Sequence, residues 1–266
     1  MQLAIQETLL PGATTRERLA HARTLGLEGV EFDAERLTDR VPEIAEILSV
    51  TGLKTAAVNV GKVPLIHPEL AERDKAIRVI RQAMANALDL GATGVIFIPH
   101  DADTPRLPDL RPYKSSLELE IELLLNLLKS TLADLAYAMG AELLLAPVNR
   151  AETHLIQRLD QAVSVRRRSK NHPHLKIAAD TGHMALEEED LIAALREQVA
   201  HIGYVRVSGL DDNLSAPNPV AVSAIIRTLR TGQYNGWVTL AGDPAGAEAR
   251  QRLSESVALL QKAVAG

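Results

Sequence analysis

The sequence predicts an α/β protein, a closed (β/α)8 barrel in which residues 1–266 form a single domain. Short apolar, β-rich runs alternate eight times with amphipathic stretches, and no domain-sized linker interrupts them. Hydrophobic residues make up 46% of the chain but aromatic residues only 3%, so the core must be aliphatic, which suits parallel strands packed against helices. An open doubly wound sheet is the alternative, and it is disfavoured because no Gly-rich phosphate loop follows the first strand.

Caps and helix-breaking residues place the first four strand and helix pairs. The helix at 14–25 is expected to begin at Thr14 or Thr15, because Glu17 then lies in its first turn. Glycines end the next two helices, at Gly52 and Gly91. The remaining predicted elements of this half are strands at 3–10, 29–32, 54–60 and 93–99 and helices at 42–51 and 68–90.

Helical spacing and charge place the second half of the chain. Leucine and isoleucine recur at helical spacing from Leu117 to Leu135, which predicts one amphipathic helix that Gly140 ends. The helix at 187–200 has glutamates in its first turn, where the helix dipole favours acidic residues. The other predicted elements are loops at 101–113 and 209–219, strands at 142–147, 177–179, 202–208 and 237–241, and helices at 153–170, 220–230 and 245–264.

Composition excludes several classes of function. The formal net charge of −5 argues against nucleic acid or an acidic membrane surface as the main partner. There is no cysteine, so disulfides, thiolate metal sites and a cysteine nucleophile are all excluded. The N-terminal residues lack the basic and apolar parts of a signal peptide, and no apolar run reaches the roughly 20 residues that span a bilayer. We therefore expect a cytoplasmic protein with a small-molecule partner.

The stretch KIAADTGHM, residues 176–184, is the strongest chemical signal in the chain. A buried strand ends at Asp180, and His183 follows three residues later. Carboxylate and imidazole groups ligate divalent metals, and both transfer protons near neutral pH. The structural alternative is that Asp180 caps the next helix and His183 is a polar loop residue. In a barrel of this kind the active site lies at the carboxyl ends of the strands, which is where this pair falls.

Several segments, taken together, resemble the xylose isomerase-like TIM barrels. They are GLEGVEF, HPELAERDKAIRVIRQAMANALDLGATGV, LLLAPVNR, AADTGHM, GYVRVSG and GQYNGWVTLAGD, in this order and over nearly the whole chain. That superfamily includes sugar and sugar-phosphate isomerases and epimerases, hydroxypyruvate isomerase, inosose dehydratase and, more distantly, endonuclease IV. The resemblance implies a role in carbohydrate metabolism, with a carbohydrate as the ligand and a homodimer as the assembly.

The resemblance also implies a metal site, which this sequence does not complete. Family epimerases hold Mn²⁺, Mg²⁺ or Zn²⁺ with Glu, Asp, His and Glu at strands five to eight, and the two glutamates transfer the proton. Asp180 is the matching aspartate, and His183 matches a neighbouring family histidine. The other three positions carry Ala146, Arg206 and Ala241. Because alanine supplies no ligand and arginine adds a permanent positive charge, we expect no metal cofactor at this site.

Two functions remain open from the sequence. In the first, the protein is an isomerase or epimerase with a rebuilt site, in which His183, oriented by Asp180, is the acid or base and Arg206 is the electrophile. The alternative is a non-catalytic barrel that binds a sugar or a small acid; a third variant is that Ala146 and Ala241 are introduced replacements of glutamate. A buried ion pair between Glu31 and Arg206 is also expected. The predicted substrate-binding residues are Glu31, His100, Asn149, Arg150 and Ser208.

Overall fold

Eight parallel strands close into a barrel in the computed structural model, which describes residues 1–208, 219–242 and 249–266. Each strand pairs with its neighbours in sequence, and the last pairs with the first, so the predicted (β/α)8 TIM barrel is confirmed. The strands are β1 (Gln2–Gln6), β2 (Gly29–Asp33), β3 (Lys54–Lys62), β4 (Gly94–Ile98), β5 (Glu142–Leu145), β6 (Leu175–Asp180), β7 (Ile202–Val207) and β8 (Trp237–Leu240).

The helices form the outer layer around this barrel. They are α1 (Thr15–Thr24), α2 (Leu37–Thr51), α3 (Leu70–Asp89), α4 (Ser116–Lys129), α5 (Thr131–Met139), α6 (Leu159–Arg168), α7 (Thr181–Glu187), α8 (Leu191–Gln198), α9 (Pro219–Thr231) and α10 (Ala249–Ala265). Within the described ranges, none of these helices is both long and apolar enough to cross a membrane.

The barrel interior and the helix layer have separate apolar clusters. The larger cluster lies between the strands and the helices, and its side chains are mostly Leu, Ile and Val, as the composition predicts. The smaller cluster fills the barrel itself, where alanines leave room for Tyr204 and Trp237.

Local capping explains why some predicted boundaries hold. Thr14 caps α1: its Oγ1 accepts the backbone N–H of Glu17 at 3.2 Å, and the Glu17 carboxylate accepts the backbone N–H of Thr14 at 3.1 Å. Gly52 ends α2 in the left-handed conformation, with φ of 72°. The first strand is shorter than predicted, because Glu7–Leu9 forms a short 3-10 helix that lifts Glu7 out of the sheet.

Several predicted helix boundaries are wrong. The single helix expected from Leu117 onward is two helices that meet at Ser130, whose Oγ donates to the carbonyl of Asn126 at 2.8 Å while its own backbone leaves the helical region. The helix expected at 153–170 begins only at Leu159.

The segment expected as one helix at 187–200 is also divided. Helix α7 ends at Glu187, and α8 begins after Asp190, whose side chain accepts the N–H of Ala193 at 2.9 Å. Helix α2 begins at Leu37, so Pro42 lies inside it rather than at its start. The predicted loop at 209–219 lies, except for its last residue, outside the described residues, as does the start of the helix predicted at 245–264.

Candidate active site

A cavity of about 450 Å³ opens at the carboxyl ends of the strands, where a barrel of this fold places its active site. Its size is in the range of small-molecule sites. Ile98 and Val148 contribute apolar surface. The polar side chains that line it are Gln6, Thr8, Glu152, Asp180, His183, Arg206 and Ser208.

Arg206 is the centre of the polar network beneath this cavity. It lies on β7 directly beside Asp180 of β6, and its Nη1 is 3.3 Å from Asp180 Oδ2. Its Nη2 donates to Gln6 Oε1 at 3.2 Å, and its Nε lies 3.5 Å from Glu31 Oε1. The predicted ion pair between Glu31 and Arg206 is therefore confirmed.

The charge of Arg206 is compensated by two carboxylates. Glu31 is fully buried, and burial raises its pKa, although the Arg206 guanidinium opposes that shift. Burial by itself would lower the pKa of Arg206, but Glu31 and Asp180 raise it above its ordinary value, so the guanidinium stays charged. Burial also raises the pKa of Asp33, again opposed by Arg206. The floor of the cavity therefore carries no excess positive charge.

Asp180 has a structural role as well as its place in the cavity. Its Oδ1 accepts the Ser208 hydroxyl at 2.6 Å and the backbone N–H of Gly182 at 3.0 Å, so it caps α7. Its Oδ2 faces Arg206. The structural alternative weighed from the sequence, that Asp180 caps the following helix, is thus correct, and Ser208 lies beside it as a partner.

His183 is oriented by Asn149 and not by Asp180. Its Nδ1 lies 3.3 Å from the backbone nitrogen and 2.9 Å from the side-chain Nδ2 of Asn149. The Asn149 Oδ1 accepts the N–H of Ala151 at 2.9 Å, which identifies Nδ2 as the donor toward the imidazole. Because Nδ1 accepts both hydrogen bonds, the neutral imidazole carries its proton on Nε2. His183 therefore offers the cavity a hydrogen-bond donor.

Ser208 lines this cavity, but the other four predicted substrate-binding residues, Glu31, His100, Asn149 and Arg150, do not. Arg150 points to the surface, where its side chain is 75% exposed and its guanidinium forms a two-point ion pair with Glu187. His100 is fully buried, with Nε2 3.4 Å from the carbonyl of Thr104. Its ring packs edge-on against His154, with centroids 4.7 Å apart. Burial lowers the pKa of His100, although the Thr104 carbonyl opposes that shift.

The residues at the family metal position do not fit a divalent cation. Ala146 and Ala241 follow β5 and β8, are buried, and have no ligand atom in their side chains. The remaining carboxylate, Asp180, is already bound by Ser208 and the backbone, with a guanidinium 3.3 Å away. A set of metal-ligating side chains lies elsewhere in the fold. His100, Glu120 and His154 each place one ligand atom within 4.8 Å of the other two.

Sequence reasoning missed three polar residues of the cavity, Gln6, Thr8 and Glu152. Gln6 lies two positions after Ala4 on β1, and Ala4 belongs to the barrel interior, so strand alternation would have predicted that Gln6 faces inward. Glu152 lies on the loop after β5, where no periodic pattern applies, and it forms an ion pair with Lys62 from the end of β3. Its place in the cavity depends on how that loop folds back.

The strands and the cavity define a (β/α)8 barrel with a polar cavity at the carboxyl ends of its strands. Residues 19–263 match the family described as the xylose isomerase-like TIM barrel, and the chain belongs to that family. It is 24% identical over 251 residues to the 3-dehydro-D-guloside 4-epimerase of Escherichia coli K12, a match that covers 92% of this chain and 93% of the relative.

Solved structures of sugar epimerases share this fold. The apo structure of 3-keto-D-glucoside 4-epimerase from E. coli is 22% identical, with a TM-score of 0.87 over 98% of this chain and 99% of the other. D-psicose 3-epimerase from Clostridium cellulolyticum H10, crystallised with D-tagatose, is 17% identical, with a TM-score of 0.78 over 99% and 98% of the two chains. Proteins similar to this chain therefore include sugar epimerases with the same barrel.

Proposed function

We propose that this chain binds an uncharged carbohydrate in the cavity and transfers a proton at a carbon next to a carbonyl, as a sugar epimerase or isomerase. The observation that carries the proposal is the donor at His183 in a cavity that also contains the Glu152 carboxylate. A proton donor for the carbonyl oxygen and an acceptor for the carbon-bound proton are the two groups that enolisation needs. The epimerase relatives support the same class of reaction.

Each group has a defined part in the step. Glu152 takes the proton as the carbon–hydrogen bond breaks, and the electron pair moves onto the carbonyl oxygen. The His183 Nε2–H hydrogen-bonds that oxygen as it becomes negative, in the way that neutral imidazole acts as an electrophile in other barrels. Delivery of that proton to the former carbonyl carbon, while the neighbouring hydroxyl proton moves to the former carbonyl oxygen, completes isomerisation. Epimerisation instead requires a proton to reach the same carbon from the opposite face.

The compensated charge of Arg206 supports a neutral ligand. A guanidinium held by Asp180 and Glu31 has donors left for hydroxyl or carbonyl oxygens, but its net attraction for an anion is small. A sugar hydroxyl or ketone therefore suits this cavity better than a sugar phosphate or a small acid. No step in this scheme passes through a metal at the family position, because the residues there do not fit one.

A non-catalytic carbohydrate-binding barrel is the second candidate. The observation that favours it is the pair of buried alanines, Ala146 and Ala241, at the positions where family epimerases place their proton-transferring glutamates. In this version the same donors and acceptors recognise a sugar without turnover. The homodimer and the cytoplasmic location implied by the sequence remain predictions for either candidate.

Deuterium exchange separates the two candidates. The protein is incubated in D2O with ketohexoses and 3-keto glycosides, and 1H NMR follows loss of the signal at the carbon next to the carbonyl. If the enzyme proposal holds, Glu152→Gln slows exchange by about 10²-fold or more. In that case His183→Gln also slows it, while Arg150→Gln, on the surface, has no effect.

Saturation-transfer NMR on the same samples reports sugar binding independently of turnover. Binding without exchange in the wild-type protein would support the non-catalytic barrel. The absence of both binding and exchange across these sugars would refute the proposed carbohydrate site.

A further inference from the structure

We propose that His100, Glu120 and His154 form a buried transition-metal site, best suited to Zn²⁺, separate from the cavity. The three residues come from different segments: His100 follows β4, Glu120 lies on α4, and His154 lies between β5 and α6. His100 and Glu120 are fully buried, and the side chain of His154 is 15% exposed. One ligand atom from each lies within 4.8 Å of the other two.

The hydrogen bonding leaves each imidazole with an unused lone pair. His154 Nε2 lies 2.5 Å from Glu120 Oε2, and His100 Nε2 lies 3.4 Å from the carbonyl of Thr104. Both Nε2 atoms face acceptors, so in the neutral rings they carry the protons. The Nδ1 atoms of both rings are buried and have no hydrogen-bond donor among the residues that the structure describes. Because Glu120 faces Nε2 of His154, a cation bound by both residues would take the Nε2 lone pair while the ring proton moves to Nδ1.

Glu120 is held as a metal-ligating carboxylate usually is. Its Oε1 accepts the backbone N–H of Arg106 at 2.7 Å and that of Leu107 at 3.3 Å, which fixes the carboxylate and leaves Oε2 toward His154. Hydrogen bonds from surrounding groups orient the residues that ligate the metal directly in many protein metal sites. The carboxylate also supplies the negative charge that a buried divalent cation needs.

The donor set selects the class of metal. Two imidazoles and one carboxylate, with water as a fourth ligand, are a common set for zinc, whereas Mg²⁺ and Ca²⁺ prefer oxygen ligands throughout. Tetrahedral zinc with bonds of about 2.0–2.1 Å places its ligand atoms about 3.4 Å apart. The separation of up to 4.8 Å therefore requires the side chains to close by about 1.4 Å, through rotation of the imidazoles rather than movement of the barrel.

A cation here would tie together two segments at the wall of the cavity. Ile98, two residues before His100, and Glu152, two residues before His154, both line the cavity. The site would therefore have a structural role that fixes the shape of the cavity, and it does not depend on the function proposed above. It also differs from the family metal position, which lies on β5 to β8.

Metal content and thermal stability test this site. Protein stripped with EDTA is titrated with ZnCl2 by calorimetry, and melting temperature is followed in parallel. We expect one tight zinc per chain and a rise in melting temperature, and we expect Glu120→Gln and His154→Gln each to weaken binding by at least about 100-fold. The matched control is His172→Gln/His174→Gln, which removes another neighbouring histidine pair and should leave the tight site unchanged.

The wild-type protein alone also decides the question, in case the cluster variants do not fold. Co²⁺ substituted into the stripped protein should give the strong visible absorption of a tetrahedral site with nitrogen and oxygen ligands, and addition of Zn²⁺ should displace it. No zinc uptake and no stabilisation by ZnCl2 would overturn the proposal. So would tight binding that survives both cluster substitutions or disappears in the control.

Discussion

Replacing Arg206 by methionine is expected to destabilise the barrel more than any change at the surface. Methionine keeps much of the length and volume of the side chain but removes the guanidinium. Glu31 is completely buried, and Asp180 is only 5% exposed, so both carboxylates would lose their cationic partner in a place that water barely reaches. Removal of one partner from a buried pair is costly because the other charge remains.

The structure sets the size of this effect. At separations of 3.3 and 3.5 Å, each carboxylate attracts the guanidinium by about 5 kcal/mol at an effective dielectric constant of about 20. Burial of the guanidinium offsets part of that attraction, so we expect Arg206→Met to lower the free energy of unfolding by about 3–5 kcal/mol. Glu31→Gln should lower the free energy of unfolding by less than Arg206→Met does, because burial already raises the pKa of Glu31 and disfavours its charged form.

Urea denaturation followed by circular dichroism measures these differences. The double variant Glu31→Gln/Arg206→Met should be more stable than Arg206→Met alone, because the deepest uncompensated carboxylate is then neutral. Arg150→Met is the matched control: it also breaks an arginine–glutamate pair, but its side chain is 75% exposed, so solvent screens the loss. The reasoning fails if Arg206→Met costs no more than Arg150→Met, or if the double variant is the least stable.

Two further predictions concern close packing and pH. Gly94→Ala should lower the free energy of unfolding by about 3 kcal/mol or more, because the new Cβ would lie 2.3 Å from the Glu142 carbonyl oxygen on the paired strand. Gly52→Ala should lower it by about 1 kcal/mol in the same urea assay, because Gly52 has a φ of 72° but open space around its Cα. Burial is the main cause that lowers the pKa of His201 below its ordinary 6.5, and the positive charge of Arg166 is the next. The unfolded chain therefore binds a proton at His201 more readily than the folded protein does. The contribution of His201 to the free energy of unfolding is complete above pH 6.5 and declines as the pH falls below it. An NMR titration that gives His201 a pKa of 6.5 or higher would contradict this.

The structure also changes the meaning of the missing family ligands. From the sequence, Arg206 in place of histidine is a loss. In the fold, Arg206 binds the surviving Asp180 and a second acid, Glu31, and thereby occupies the centre of the polar network with its own positive charge. In this member of the family, the guanidinium of Arg206 therefore supplies the positive charge between these two carboxylates. This is the physical basis for proposing a reaction without metal at the family position.

Much of the fold could be predicted because its signals are local. Strand and helix alternation, the aliphatic composition and the Thr14 cap depend on neighbours a few residues away. The errors arose where a local pattern was consistent with two outcomes. The leucine spacing continues across Ser130, and only the backbone conformation there divides α4 from α5. In the same way, the acidic run after residue 186 resembles a helix start but ends α7.

The sequence by itself determined the barrel, the edge at which polar residues gather, and the absence of family ligands at Ala146 and Ala241. The position of that edge follows because parallel strands bring their carboxyl ends to the same side of the barrel, whatever conformation the loops adopt. Only the tertiary structure decided the partners: His183 pairs with Asn149, 34 residues away, and Glu120 meets His154 across the same sequence separation. Hydrogen bonds between distant segments depend on where the loops pack, and no local period encodes that.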